Sequence, residues 1–407
     1  MANTSTMGAQ DAAADAARLL QRLGYAVLAI GVPCAELLSS RAIFVFFPIG
    51  VALLLVAAML HPVRGATQAM RKALATPLAW SSLALLAWAA LSLLWTPFPS
   101  ATAQLGKLAG TALLAFLAIG AMRDHMRAGD LYLFPAGVAL AMAIILIVAL
   151  AAHAGADAND GRIGRAGVSL VVLLWPAMAG LAARGRNGLA RLLLILAAVF
   201  VFAIGAPVTV AALLVGVLAL SFAVSDLKRT VFDLGLFAAA IILLAPLALA
   251  IAPAAARWFY QVKLSLLGEP FPPLAAAAEI LLHEPLRLFT GHGFYAAVKG
   301  LETGLLPART PRVGLFELWY ELGVIGAALG AAGAWLAFRA AGDLGARIAP
   351  YIVAALACDL TLAFLGEDFS QMWWATVLAV SAISAAAAHH SQYRTRRPLA
   401  AVPHPTL

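Results

Sequence analysis

Paired arginines, and carboxylates one helical turn apart, are the residues of this sequence whose types and spacing could do chemistry. Arg162 and Arg165 stand in NDGRIGRAG, and Arg309 and Arg312 in PARTPRVG. A guanidinium keeps its charge at any working pH and grips phosphate through two parallel hydrogen bonds, so the two pairs point to an anionic ligand. For any one arginine, the competing reading is an anchor to lipid headgroups. Glu317 and Glu321 follow in TPRVGLFELWYELGVIGAALG. Their i, i+4 spacing puts both carboxylates on one helix face, and such a stripe in hydrocarbon must face a cavity or a partner helix. The plainer alternative leaves Glu321 bonded to a neighbouring helix and Glu317 at headgroup level. If a base is needed, Glu317, Glu321, Glu367, Asp368 and His292 are the candidates. His283 and His292, in HEP and GHG, lack the helical pairing of a zinc site, and there is no Ser/His/Asp order, P-loop or dinucleotide fingerprint. Neither a metal nor a cofactor is expected.

The elements that must position these residues are membrane helices. The 407-residue chain is 63% hydrophobic and 11% charged, with a mean hydropathy of +0.94. An average soluble chain is roughly 45–50% apolar and about 25% charged. A helix needs about 20 apolar residues to cross a bilayer, and about twelve runs come close to that. They lie at 23–39, 42–60, 78–95, 105–121, 131–152, 166–183, 190–204, 208–224, 234–253, 313–338, 348–365 and 371–388. Pro33 and Glu36 interrupt the first, and Ala206 and Pro207 separate the seventh from the eighth. The predicted fold class is therefore an all-α polytopic membrane protein.

Net charge +8 does not mean nucleic acid, because the Lys and Arg residues sit in short clusters between apolar runs. Alternate clusters set the orientation, since short cytoplasmic loops retain positive charge. With the N-terminus inside, every inside segment carries at least two basic residues, among them Arg64, Arg71 and Lys72, and Arg184, Arg186 and Arg191. The short outside segments hold only Arg41, Lys107, Arg162 and Arg165. The layout is an inside tail at 1–22 ending in a short amphipathic helix, spans at 23–253, an outside loop at 254–312, spans at 313–388, and a basic inside tail at 389–407. Within the loop, ARWFYQVKLSLL and PPLAAAAEILLHEPLRLF read as short amphipathic helices, the second opened by Pro273. Cys34 and Cys358 both lie in apolar runs and form no disulfide or metal pattern. The candidate residues Arg162, Arg165, Arg309, Arg312, Glu317, Glu321, Glu367 and Asp368 all fall on the outside face, against the insertion bias for positive charge.

Three stretches carry a resemblance. SLLWTPFPSATAQLGKLAG, HEPLRLFTGHGF and ELWYELGVIGAALG, together with the helix number and the long loop between the ninth and tenth spans, resemble the O-antigen ligase and Wzy-type polymerase family of bacterial membrane glycosyltransferases. The last stretch closely resembles that family's L-x-x-x-E-x-G-x-x-G start of the tenth span. The resemblance implies a GT-C-like fold of 12 spans in the bacterial inner membrane, with cytoplasmic termini and a periplasmic loop. It further implies transfer of a glycan from undecaprenyl diphosphate to a lipid or glycan acceptor, without a metal. Arg162 or Arg165, Arg309 and Arg312 would hold the diphosphate, and Glu317 and Glu321 would join Arg312 in catalysis. The family's His-Asn pair, nine residues before the Glu of E-x-G, falls here on Arg312 and Val313, and its Ser-Arg-Gly at the eighth span reads GAPVT. Either the catalytic group is replaced, or the activity is lost or changed. A non-catalytic subunit of a polysaccharide assembly complex is the second reading. A secondary transporter comes third, as no inverted repeat or pair of broken helices is evident in the sequence.

Overall fold

Apolar chain in lipid must satisfy its own backbone polar groups, which favours helices throughout. The computed structural model describes residues 3–38, 41–61, 66–122, 129–153, 161–261, 280–281, 283–284, 286–308 and 310–391. Among these the structure is helical, with no strand. α1 (Asn3–Ala26) passes through a π-helical turn (Val27–Gly31) into α2 (Val32–Leu38). There follow α3 (Ile43–Leu60), α4 (Ala66–Leu74), α5 (Pro77–Ser92), α6 (Ser100–Ala121) and α7 (Leu133–His153). Next come α8 (Gly161–Ala183), α9 (Asn187–Ile204), α10 (Pro207–Ser225) and α11 (Leu227–Gln261). Two short helices, α12 (Arg287–Thr290) and α13 (Ala296–Glu302), precede α14 (Gly314–Gly342), α15 (Ala349–Leu365) and α16 (Met372–Ser391).

Each apolar run read from the sequence is helical. Among the described residues, nine helices are long and apolar enough to cross a membrane, or ten if α4 and α5, bent by 70° at their junction, form one span. The apolar α15 has 17 residues. The first run is helical but irregular. Pro33 has no amide to offer the Ala29 carbonyl, and Gly137 of α7 packs so closely on that carbonyl that a Cβ there would lie 2.0 Å from the oxygen. Two boundaries differ from expectation. The helix ahead of the first run begins at Asn3 rather than as a short segment before residue 23, and α11 continues to Gln261, past the expected end at 253. ARWFYQ is thus the end of α11, while most of the second expected loop helix, and the tail from 392, lie outside the described residues.

α8 is the central helix, enclosed by protein over its whole apolar window. Trp175 on it is fully buried against α10, where Gly216 leaves the room; a Cβ on Gly216 would lie 2.2 Å from the indole. A second core lies between α5, α6, α11 and α14 and includes Ala89, Leu105, Ile242, Phe316 and Leu322. Leu192, Phe202, Phe222 and Phe237 are exposed on the outer surface, as expected of side chains facing lipid.

One long helix is interrupted. Inside α14, Gly323 adopts φ 64° and ψ −160°, a conformation open only to glycine, so the helix is interrupted one third of the way along. Together with the bend between α4 and α5, this gives the bundle two discontinuities.

Candidate functional site

The break at Gly323 organises the site. The last three carbonyls before it, of Tyr320, Glu321 and Leu322, accept hydrogen bonds from outside the helix: from the His292 amide at 2.8 Å, the Gly293 amide at 3.0 Å and the Trp88 indole at 2.9 Å. Backbone within the bilayer is tolerated in this irregular form only where protein supplies such partners. The turn Gly291–His292–Gly293 can approach because its glycines have no side chain: a Cβ on Gly291 would lie 2.1 Å from the Glu321 carbonyl oxygen, and one on Gly293 would lie 2.7 Å from Thr96. Both have positive φ, 70° and 98°. On its far side the turn is gripped by the end of α5, where Ser92 Oγ accepts from the Phe294 amide at 2.9 Å and Thr96 Oγ1 donates to the Phe294 carbonyl at 3.0 Å.

Glu317 and Glu321 are both buried and line the same cavity, as their spacing predicted. Each is tied to a different loop. Glu321 Oε1 accepts from the Ala297 amide at the start of α13 at 3.0 Å. Glu317 accepts from the Phe369 amide at 2.8 Å and the Ser370 hydroxyl at 3.3 Å. These carboxylates therefore act as anchors that hold the 293–297 and 366–371 segments against α14.

The 366–371 turn carries Glu367 and Asp368. Asp368 is buried and accepts from Ser370 Oγ and Gln371 Nε2, each at 3.0 Å. Gln104 of α6 donates to the Ser370 carbonyl, Trp373 donates to Gln371 Oε1, and the Glu367 carbonyl accepts from the Gly314 amide at 2.8 Å. Burial and the neighbouring Asp368 charge push the Glu367 carboxyl up to about 7, against the pull of Arg165. Burial raises Asp368 as well, opposed by its hydrogen bonds to Gln371 and Ser370 and by the charge of Arg312. Arg165, half-buried in the first turns of α8, acts electrostatically on Glu367, and Arg312, exposed just before α14, acts on Asp368.

Beneath the polar residues lies an apolar cavity of about 500 Å³. Leu85, Leu108, Ile242, Leu318, Leu356 and Phe364 are among its walls, from α5, α6, α11, α14 and α15, and Glu317, Glu321 and Ser370 supply its polar end.

In comparison with known proteins, no family model matches the chain and no curated protein sequence does. What the site can do rests on its own geometry.

The structure brings Arg165, Arg312, Glu317, Glu321, Glu367 and Asp368 to one end of the bundle. The starts of α6, α8, α10 and α14 meet the α15–α16 turn there, with Gly366 packed on Val208. His292 reaches the same helix but stands apart from the carboxylates. Its ring stacks on Tyr320 at 4.1 Å, Nδ1 donates to the Tyr320 carbonyl at 3.1 Å, and Nε2 faces Glu284 at 3.5 Å. Arg162 lies in the first turn of α8, with its side chain outside the described ones, and Arg309 is outside the described residues altogether. Among the described residues, no three His, Cys, Asp or Glu side chains group as metal ligands. Sequence reasoning missed Trp88, Ser92, Thr96, Gln104, Ser370 and Gln371, the uncharged partners that set the geometry.

Proposed function

We propose that this chain is a membrane glycosyltransferase of the O-antigen ligase or polymerase type. On this reading it is a twelve-span, GT-C-like protein of the bacterial inner membrane, with cytoplasmic termini and its acidic and arginine-bearing end in the periplasm. It moves a glycan from undecaprenyl diphosphate to a lipid or glycan acceptor in surface polysaccharide synthesis. The observation that carries the reading is an apolar cavity of about 500 Å³ lined in part by Glu317, Glu321 and Ser370, and so reaching the 366–371 turn whose acids feel the charges of Arg165 and Arg312. A polyprenyl diphosphate has the matching form, a long apolar chain ended by two phosphates. The arginines would neutralise the charge that grows on the leaving diphosphate, with Arg162 and Arg309 as further candidates from the sequence. Glu367, whose carboxyl is pushed up to about 7 by burial and the neighbouring Asp368, is the candidate base for the acceptor hydroxyl, while Glu317 and Glu321 hold the loops against α14.

The test is transfer in liposomes holding the purified protein, a polyprenyl-diphosphate oligosaccharide and an acceptor lipid. Arg312→Ala should lower the rate by about 100-fold, the order seen when one stabilising donor is lost from a transition state. Wild-type protein that binds the donor yet transfers nothing would replace this reading with the second one, a non-catalytic lipid-diphosphate-binding subunit. That alternative is favoured by one observation: both buried glutamates are already engaged by loop amides and hydroxyls.

A further inference from the structure

A second groove lies at the opposite end of the bundle, remote from the acidic turn. It runs between the first turns of α7 and α9, over a floor from the end of α8, and has a volume of about 290 Å³. Pro135, Ala136, Ala139, Leu181, Leu193 and Leu196 are among its apolar walls. Leu189 and Leu192, at its rim, are 48% and 61% exposed, so the groove opens sideways from the helix bundle rather than into its core. Its polar end is Tyr132, which lies within hydrogen-bonding reach of Arg186 and Arg184 in the tight turn joining α8 to α9. Arg184 carries a second sign of an unfilled site: its Nε is buried and has no hydrogen-bond partner among the described residues. A buried guanidinium nitrogen left without an acceptor is costly, and an anion satisfies it. Asp130, a described acid on this side, is paired with Arg22 at 2.9 Å.

We propose that this groove binds one anionic phospholipid, its phosphate on Arg184, Arg186 and the Tyr132 hydroxyl and one acyl chain along the α7–α9 walls. The observations favour a lipid over a soluble phosphate, because Tyr132, the residue the two arginines reach, is itself part of the wall of an apolar trough that opens sideways from the bundle. They favour an anionic head over a zwitterionic one, because two cations, Arg184 and Arg186, converge on its polar end at Tyr132. Basic pockets between spans bind anionic lipid headgroups for this reason. The site is independent of any glycan transfer at the other end.

The full chain, purified in detergent and exposed to a limiting equimolar mixture of phosphatidylglycerol and phosphatidylcholine, would be analysed by native mass spectrometry. Wild-type protein should retain one phosphatidylglycerol in preference to phosphatidylcholine. R184A/R186A should lower that retention by about tenfold, given the strength of a lysine or arginine contact at an anionic membrane surface. R186A alone changes an exposed residue and keeps the test readable if the double variant fails to fold. A136W, from the exposed rim, fills the trough while leaving both arginines, and should also release the lipid. Equal retention of the two lipids would mean ordinary boundary lipid only. Retention unchanged in R186A and R184A/R186A would remove the headgroup site, and retention unchanged in A136W would remove the acyl trough. Any of these results overturns the proposal.

Discussion

Glu317 and Glu321 stand one turn apart on α14, yet their hydrogen bonds run to loops 72 residues apart in the sequence, at Ala297 and Phe369. Their chemistry in this structure is that of acceptors, and it makes a specific forecast. Glu321→Ala leaves the buried Ala297 amide without a partner and should destabilise the protein by about 1–3 kcal/mol, whereas Glu321→Gln keeps an acceptor oxygen and should lose much less. Thermal unfolding of the two variants in detergent separates them; equal losses would mean that charge, not acceptance, is what matters. Glu367 behaves differently. Its carboxyl is raised to about 7, so between the ordinary carboxylate range and about 7 the folded protein holds a proton that the unfolded chain has released. Its contribution to stability is therefore greatest at the acid end of that window and falls as pH rises through it. Above about 7 the carboxylate also competes for Arg165. Binding of a short-chain prenyl diphosphate should weaken from about pH 6 to about pH 8, and Glu367→Gln should flatten that dependence. A profile unchanged by the substitution would place the titrating group elsewhere.

At the scale of the element, two indoles repair two interruptions. Pro246 in α11 has no amide for the Ile242 carbonyl four residues back, and Trp319 Nε1 donates to that carbonyl at 2.7 Å. Trp88 does the same for Leu322 beside the break in α14. The α11 pair can be tested by a double-mutant cycle. Trp319→Phe should cost about 1 kcal/mol through the lost hydrogen bond, and less in a Pro246→Ala background, where the substituted residue supplies the missing amide. Additive losses would show that the indole acts only through packing. Gly323→Ala should be costlier. Its φ of 64° and ψ of −160° exclude a side chain, and a Cβ would lie 2.6 Å from the Phe289 carbonyl oxygen, so backbone strain of roughly 1–3 kcal/mol should come with displacement of the 289–293 turn. Faster proteolysis near residue 290 would report that displacement. The sequence exposed the acids here because i, i+4 spacing is a one-dimensional property of a helix. It could not expose the break, since Gly323 is one of several glycines in α14, and only the arrival of Gly291 and His292 from another segment distinguishes it.

Over the whole molecule, hydropathy made the helices legible because burying an unpaired peptide group in lipid has so few solutions. Runs such as 42–60 and 208–224 agree with α3 and α10 to within a residue or so. Boundaries set by neighbours rather than by lipid were harder to read. α1 continues back to Asn3 through a polar stretch, and α11 continues past Pro253 to Gln261. Arg165, Arg312 and Asp368 gather at one end of the bundle, while Arg22, Asp130, Arg184 and Arg186 lie at the other. The proposed orientation, with the acidic end in the periplasm, is tested by labelling. In a C34S/C358S background, Glu302→Cys should react with an impermeant maleimide in intact spheroplasts and Arg186→Cys only after lysis. The reverse pattern would invert the orientation and remove the periplasmic assignment of the acidic turn.

The external hydrogen bonds at the Gly323 break also bear on how the chain is made. Every donor to those three carbonyls, from Trp88, His292 and Gly293, precedes its acceptor in the sequence. During synthesis from the N-terminus, the groups that complete α14 are already at or in the membrane when its interrupted backbone enters. Moving α5 behind α14 by circular permutation would reverse that order for one of them, delivering a bare Leu322 carbonyl to lipid before the indole of Trp88 exists to meet it. For this helix, the order of birth of the segments is part of what makes a broken span insertable.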